Sequence, residues 1–162
     1  MLLLLLLLQE LLLMREKLAL FICVGNSGRS LMAEAMFNAN PPAGWTAISA
    51  GTSPAASANP RTGPMLREIG LDLPPHPPQL LTPEMMDVAR IRVTMGCLDD
   101  ASCPARLKTI ELRDWELPDP GPLDDAGFRR VRDRLVVLVR GLRTELEVSD
   151  AGDASRSVRP SQ

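Results

Sequence analysis

The sequence predicts an α/β fold, a parallel sheet with helices on both faces, and three observations carry that expectation. Residues 17–24 (Lys-Leu-Ala-Leu-Phe-Ile-Cys-Val) form a nearly continuous apolar run of strand length, the pattern of a strand covered on both sides. Strand-like runs then alternate with helix-like segments, as βα units require. Near the C-terminus Phe128, Val131, Leu135, Leu138, Leu142 and Leu146 recur at steps of three and four, an apolar helical stripe.

The first strand is followed by a Gly-containing turn. Met32, Ala35, Met36 and Ala39 then mark a helix over 30–40, stopped by Pro41-Pro42. Residues 45–50 read as a second strand, closed by Gly51. Asn59-Pro60 places an N-cap residue before a proline suited to the first helical position, which predicts a helix from there to Gly70. Thr82-Pro83 repeats the signal for a short helix through Val88. Residues 91–95 form the expected third strand and 109–113 the fourth. Beyond the Pro/Gly-rich stretch 118–122, the apolar stripe places the longest helix at 124–147. From Ser149 onward Ser, Asp, Arg, Pro and Gly dominate, which predicts a disordered tail. The expected organisation is a Leu-rich extension (1–16), one domain (17–148) and a tail (149–162).

A chain of 162 residues can bury a core without metal or disulfide staples. Its 18 Lys+Arg against 20 Asp+Glu leave no strong basic field for nucleic acid or an anionic membrane. With no Tyr, three Phe and two Trp, a base-stacking platform is not expected. Ten of the first thirteen residues are Leu, but Gln9 and Glu10 interrupt the run far short of the ~20 apolar residues a membrane span needs. There is no basic leader or small-residue cleavage site of a secretory signal either. The segment reads as an extension without fold value, with Met14 the candidate start. Three cysteines are an odd number in a chain too large to need a disulfide framework, and one His leaves little for a Cys/His zinc site. These features fit a cytoplasmic enzyme or a small binding domain.

In a parallel sheet, ligands bind beyond the carboxyl ends of the strands. Cys23-Val24-Gly25-Asn26-Ser27-Gly28-Arg29-Ser30 lies there, between the first strand and a helix N-terminus. Such a loop can turn successive N–H groups toward one point and form an anion nest. Gly25 and Gly28 permit the tight backbone this needs. Arg29 offers a planar fork for two oxygens of a tetrahedral oxyanion. The same positive surroundings favour the thiolate of Cys23, so nucleophile and anion meet for in-line attack. Ser30 is placed either to hydrogen-bond that thiolate or simply to cap the helix. The plainer alternative is a buried cysteine that ends a core strand, followed by a Gly turn.

The segment from Phe21 to Phe37, followed by Ile48-Ser-Ala-Gly-Thr52, resembles the low-molecular-weight protein tyrosine phosphatase superfamily. The resemblance covers residues 17–147. It implies a four-stranded parallel sheet of the phosphotyrosine protein phosphatase I type, with Cys23 as nucleophile, Arg29 as oxyanion clamp and a late Asp as general acid. Asn26 matches the position that shapes the loop by hydrogen bonding. Asp119-Pro120 fits the acid, since a carboxyl opposite the nest can protonate a leaving oxygen; otherwise Asp119 is a turn residue. In the phosphatase branch an aromatic residue usually follows that proline, whereas here Gly121 does. A small inorganic oxyanion therefore suits the loop better than an aryl ester.

Met95-Gly-Cys97 through Cys103-Pro104, then Trp115-Glu-Leu-Pro-Asp-Pro120, resembles the thioredoxin-coupled arsenate reductases. That resemblance implies a disulfide relay from Cys23 to Cys97 to Cys103, re-reduced by thioredoxin or a similar thiol system. Bridging requires Cα atoms within about 4.4–6.8 Å, so segment 97–106 is expected to rearrange and to have low local stability. The alternatives are a phosphatase acting on phosphotyrosine or phosphoarginine, with Cys97 and Cys103 idle, and a non-catalytic oxyanion- or redox-sensing module. A carboxylate used by a cation site of some relatives falls near Thr82, so no metal ion or other cofactor is assigned. Glu34 reads as an exposed helical residue and His76 as a surface residue without a catalytic part. Arg92 stands where a buried strand residue is expected, unless its stem follows the sheet edge. A monomer is expected, with arsenate as substrate and phosphate as its analogue.

Overall fold

Strand β1 (Lys17–Cys23) lies at the middle of the fold because its alternate side chains find apolar partners on both faces. The computed structural model describes Leu3, residues 17–96 and residues 112–156. Cys97, Cys103, most of the expected fourth strand and nearly all of the Leu-rich extension lie outside these residues. The elements after β1 are α1 (Arg29–Ala39), β2 (Trp45–Gly51), α2 (Thr62–Arg67), α3 (Pro83–Val88), β3 (Ile91–Thr94), β4 (Arg113–Asp114) and α4 (Asp125–Arg156). The strands form one parallel sheet in the order β2-β1-β3-β4, so the expected four-stranded α/β fold is present. All seven residues of β1 pair with β2, from Lys17 opposite Trp45 to Cys23 opposite Gly51.

One face of β1 carries Ala19, Phe21 and Cys23, which pack with Met32, Ala33 and Phe37 of α1, Met65 and Leu66 of α2, and Phe128 and Leu135 of α4. The other carries Leu20 and Ile22 against Met86 and Ala89 at α3. Each large apolar side chain buried this way contributes about 1.5–3 kcal/mol, so the run 17–23 makes the sheet's central strand rather than an edge. On α4 the buried stripe is Phe128, Val131, Leu135, Val139, Leu142 and Leu146. Val139 replaces the expected Leu138, which is only partly buried, because a straight helix drifts relative to a three-four repeat.

Three expectations are corrected. The α2 helix starts at Thr62, not at Pro60: the Asn59 side chain accepts the Arg61 N–H (2.9 Å) and its carbonyl accepts that of Thr62 (2.9 Å), so residues 59–61 form a turn ahead of the helix. It also ends at Arg67, with Gly70 adopting φ +78° in the turn that follows. The expected tail continues α4 as far as Arg156. Asp150 anchors that last part by accepting the Trp45 indole N–H (3.0 Å) and pairing with Lys17 (2.8 Å). Composition does not reveal this, because both partners come from the other end of the chain. At α3 the start signal holds, with the Thr82 hydroxyl accepting the Met85 N–H at 3.2 Å. Arg92 is half-buried and donates from Nε to the Met86 carbonyl (2.7 Å), which accommodates its charge beside the sheet. No described helix is long and apolar enough to cross a membrane.

Candidate active site

The loop 23–30 connects the end of β1 to α1, and its shape is set by where its carbonyls go. Those of Cys23, Val24, Gly25 and Ser27 accept the N–H groups of Thr52, Ser53, Ala55 and Asn59 at 2.9–3.1 Å, and Ser27 also accepts the Thr62 hydroxyl (2.7 Å). Segment 52–62 thus takes up the loop's oxygens from outside. The first i→i−4 bond of α1 runs from Met32 N–H to the Gly28 carbonyl (2.9 Å), so the preceding N–H groups are the unpaired donors of a helix N-terminus. These N–H groups stand at the carboxyl edge of the sheet, where the sequence leads one to expect an anion nest.

Cys23 ends β1, is 3% exposed and is a free cysteine. Its Sγ receives the Asn26 backbone N–H at 3.1 Å and lies 2.8 Å from the Ser30 hydroxyl. Ser30 is therefore the thiol's partner and not a helix cap. Asn26 stands at φ +47°, a left-handed conformation that Asn tolerates better than most residues. Its side chain donates to Ser30 Oγ (2.7 Å) and Ser49 Oγ (2.9 Å), and its Oδ1 accepts the Gln79 N–H (3.0 Å). Asn26 shapes the loop as the resemblance implied.

Arg29 is 6% exposed, and its Nη1 donates to the carbonyls of Met95 (3.1 Å) and Leu117 (2.8 Å). Among the described residues its Nε and Nη2 have no protein partner, which leaves the side of the fork suited to two oxygens. The same carbonyl bonds tie Arg29 to the segment that leads into Asp119. Cys23, Val24, Gly25, Ser27, Gly28, Arg29 and Asp119 together line one cavity of about 210 Å3. Asp119 Oδ1 accepts the Gly121 N–H (2.9 Å), leaving its other oxygen uncommitted by any protein bond among the described residues.

Several contributors escaped the sequence reading. Arg61 donates to the carbonyls of Leu123 (2.8 Å), Gly121 (2.9 Å) and Pro120 (3.3 Å), bonds Asp125 (3.2 Å), and lies over the Phe128 ring. It clamps the loop that carries Asp119, and no local pattern around Arg61 announces the role. Gln79 holds the Asn26 amide and, through Nε2, the Ser49 carbonyl (2.8 Å). Glu34, expected to be exposed, is 4% exposed, and it accepts the Ser49 hydroxyl (2.7 Å). His76, expected at the surface, bonds Glu34 through Nε2 (2.8 Å) and the Pro77 carbonyl through Nδ1 (2.8 Å). Burial pushes the Glu34 carboxyl up, opposed by its bonds to Ser49 and His76. Burial alone would lower His76, but the Pro77 carbonyl and Glu34 outweigh it and leave it raised. Among the described residues, no group of three His, Cys, Asp or Glu side chains is placed to share a metal ion.

A cysteine and an arginine in a strand-to-helix loop, with an aspartate lining the same cavity, define a class of α/β enzymes that work on tetrahedral oxyanions. The chain belongs to the low molecular weight phosphotyrosine protein phosphatase family, whose model matches residues 19–151, and it is an enzyme of that class. It is similar to arsenate reductase 1 of Staphylococcus epidermidis, at 34% identity over 122 residues, which are 75% of this chain and 92% of that protein. It is similar in structure to a thioredoxin-dependent arsenate reductase of Corynebacterium glutamicum (TM-score 0.68, 28% identity), covering 82% of this chain and 63% of that one. This chain thus spans less than two thirds of that protein's length. An arginine phosphatase from Geobacillus stearothermophilus shares the fold (TM-score 0.72, 23% identity), over 90% of this chain and 99% of that one.

Proposed function

We propose that this enzyme reduces arsenate to arsenite, for arsenic detoxification in the cytoplasm, with electrons from thioredoxin or a related dithiol. The observation that carries the reading is the small cavity itself. It joins Cys23, Arg29 and Asp119, and no aromatic residue is among the described residues that line it. An aryl ester has no ring to stack on there, whereas a tetrahedral inorganic anion needs none.

Cys23 Sγ attacks arsenic; the S–As bond forms, an As–O bond breaks, and Asp119 gives its proton to the departing hydroxyl, which leaves as water. The loop N–H groups and Arg29 hold the remaining oxygens. Cys97 Sγ then attacks Cys23 Sγ. The S–S bond forms, the S–As bond breaks, and its electron pair stays on arsenic, which passes from pentavalent to trivalent and leaves as arsenite. Cys103 attacks Cys97 and returns Cys23 as a thiolate. The Cys97–Cys103 disulfide accepts two electrons from the external dithiol. The similarity to arsenate reductases supports this sequence of steps. Cys97 and Cys103 lie outside the described residues, and their roles rest on that similarity.

A second reading, phosphate-monoester hydrolysis, uses Cys23, Arg29 and Asp119 alone, with water resolving a phosphocysteine. The purified protein with arsenate, thioredoxin, thioredoxin reductase and NADPH separates the two. Arsenate-dependent loss of NADPH is expected, and Cys103→Ser should stop it while leaving any aryl-phosphate cleavage intact. No arsenate-dependent oxidation together with fast aryl-phosphate cleavage would establish the phosphatase instead. Normal turnover by Cys103→Ser would remove the three-thiol relay.

A further inference from the structure

Between the C-terminal half of α1, the turn after α2 and the middle of α4 lies a cavity of about 390 Å3, against about 210 Å3 for the one that holds Cys23. Met36, Ile69, Leu71, Val136 and Val139 give it apolar walls. Small organic ligands occupy cavities of this size and lining. No residue lines both cavities. Arg29 and Ala39 stand at opposite ends of α1, about 15 Å apart along its axis, which keeps this cavity separate from the oxyanion loop.

Two charged side chains also line it, and they differ in how they are satisfied. Asp133 accepts from Arg132 Nε at 2.9 Å, so its charge already has a partner. Arg143 is half-buried and donates from Nη1 to the Asn40 carbonyl at 3.0 Å, just beyond the end of α1. Its Nε is closed to solvent and has no acceptor; among the described residues it is the one buried side-chain nitrogen or oxygen left in that state. Nη2 has no protein partner among those residues either. A buried donor without an acceptor is costly, and native structures hold few of them. Nε and Nη2 form one edge of the guanidinium, and two parallel N–H bonds from such an edge match a carboxylate. Asp133 and Arg143 are ten residues apart on α4, about 15 Å along the axis, so an anion at Arg143 lies well away from the Asp133 charge.

We propose that this cavity binds an amphipathic carboxylate, its apolar chain against Val136 and Val139 and its carboxylate on the Nε/Nη2 edge of Arg143. Each half of the ligand answers a feature of the site. The walls gain by losing contact with water, which favours any apolar body of the right size. The guanidinium supplies the direction, because a neutral chain of the same length leaves Nε without an acceptor and a cationic head is repelled. Arg143 turns about its Nη1 tether to meet the oxygens, the kind of side-chain adjustment that is common on binding. The inference is independent of which oxyanion Cys23 attacks.

Isothermal titration calorimetry of the full chain with decanoate, below the concentration at which it forms micelles, tests this, with decanol and decylamine as the neutral and cationic counterparts. Decanoate should saturate one site per chain, decanol should bind about tenfold more weakly, and decylamine more weakly still. Arg143→Met keeps the aliphatic stem and removes the donors. It should weaken decanoate about tenfold to hundredfold and leave decanol unchanged. Arg143→Lys keeps the charge without the planar fork and should fall between the two. Val136→Phe fills the cavity and should weaken both ligands, with far-UV circular dichroism unchanged. Saturating phosphate should not displace decanoate. Absence of saturable binding, or equal decanoate affinity in wild type and Arg143→Met, would overturn the proposal. Loss of decanol together with decanoate in Arg143→Met would make the arginine structural and overturn it too. Displacement by phosphate would place the carboxylate in the oxyanion loop instead. A wild-type dimer in sedimentation that Val136→Arg dissociates would give this face to a second copy, and the proposal would fall.

Discussion

Gly51 leaves no room for a side chain. A Cβ there would collide with the Val24 carbonyl oxygen and lie 3.0 Å from the Asn26 nitrogen, both backbone atoms of the nucleophile loop. Gly51→Ala is expected to cost about 1–3 kcal/mol, the usual range for overpacking, and to lower the alkylation rate of Cys23 by displacing the loop. Thermal melts and the alkylation assay check it; a variant with wild-type values in both would show that the loop can shift freely. Asp119 allows a cleaner separation. Asp119→Asn keeps the Oδ1 that accepts the Gly121 N–H, so the loop should hold its shape while the proton donor is lost. We expect kcat to fall by roughly 10²–10⁴, as for loss of a general acid, with Cys23 alkylation unchanged.

Among the elements, α4 does the most to join distant parts of the chain. At its start Arg61 grips three carbonyls of segment 120–123, so Arg61→Ala should free the acid loop. A drop of about tenfold in kcat is expected, with little change in the inhibition constant for phosphate, because the nest and Arg29 do not depend on Arg61. In its middle Arg129 and Arg132 hold Glu68, just beyond α2, bonded to Arg129 at 2.8 Å and Arg132 at 2.6 Å. These bonds lower the Glu68 carboxyl to about 2. Its contribution to stability is therefore present above pH 4.5 and lost as pH falls toward 2. Glu68→Gln should flatten that part of the acid melting curve. At its end Asp150→Ala should lower Tm by about 2–6 °C, given the modest worth of a half-exposed ion pair and one hydrogen bond.

At the scale of the whole molecule, parallel pairing brings the carboxyl ends of β1, β2 and β3 to one edge, with Cys23 opposite Gly51 and Ile22 opposite Thr94. The loops that leave this edge form the cavity, and residues from 26 to 79 brace it from behind. His76 and Glu34 couple that brace to global stability. Both are raised in the fold, so their favourable contribution is complete below their unfolded values and fades as pH rises through the folded ones. Tm should fall between pH 6 and pH 9, and Glu34→Gln should reduce the fall. Differential scanning calorimetry across that range measures it.

The legible part of this protein is what lies contiguously in the chain. The apolar run 17–23, the Thr82-Pro83 start signal, the stripe on α4 and the Cys-x5-Arg-Ser loop each express a local rule, because strand burial, helix capping and anion nests depend on neighbours in sequence. From these came the parallel α/β sheet and the candidates Cys23 and Arg29, while Asp119 came from the family resemblance, and the fold brings all three to one cavity. What tertiary structure decided is who meets whom across long separations. Glu34 looked like a solvent-facing helical residue and His76 like a surface loop residue, yet 42 positions apart they form one part-buried pair. Asp150 looked like part of a tail until Lys17 and Trp45 gave it partners. A polar side chain carries no local sign of whether water or a distant group will satisfy it, since that depends on burial, and burial is a property of the packed chain.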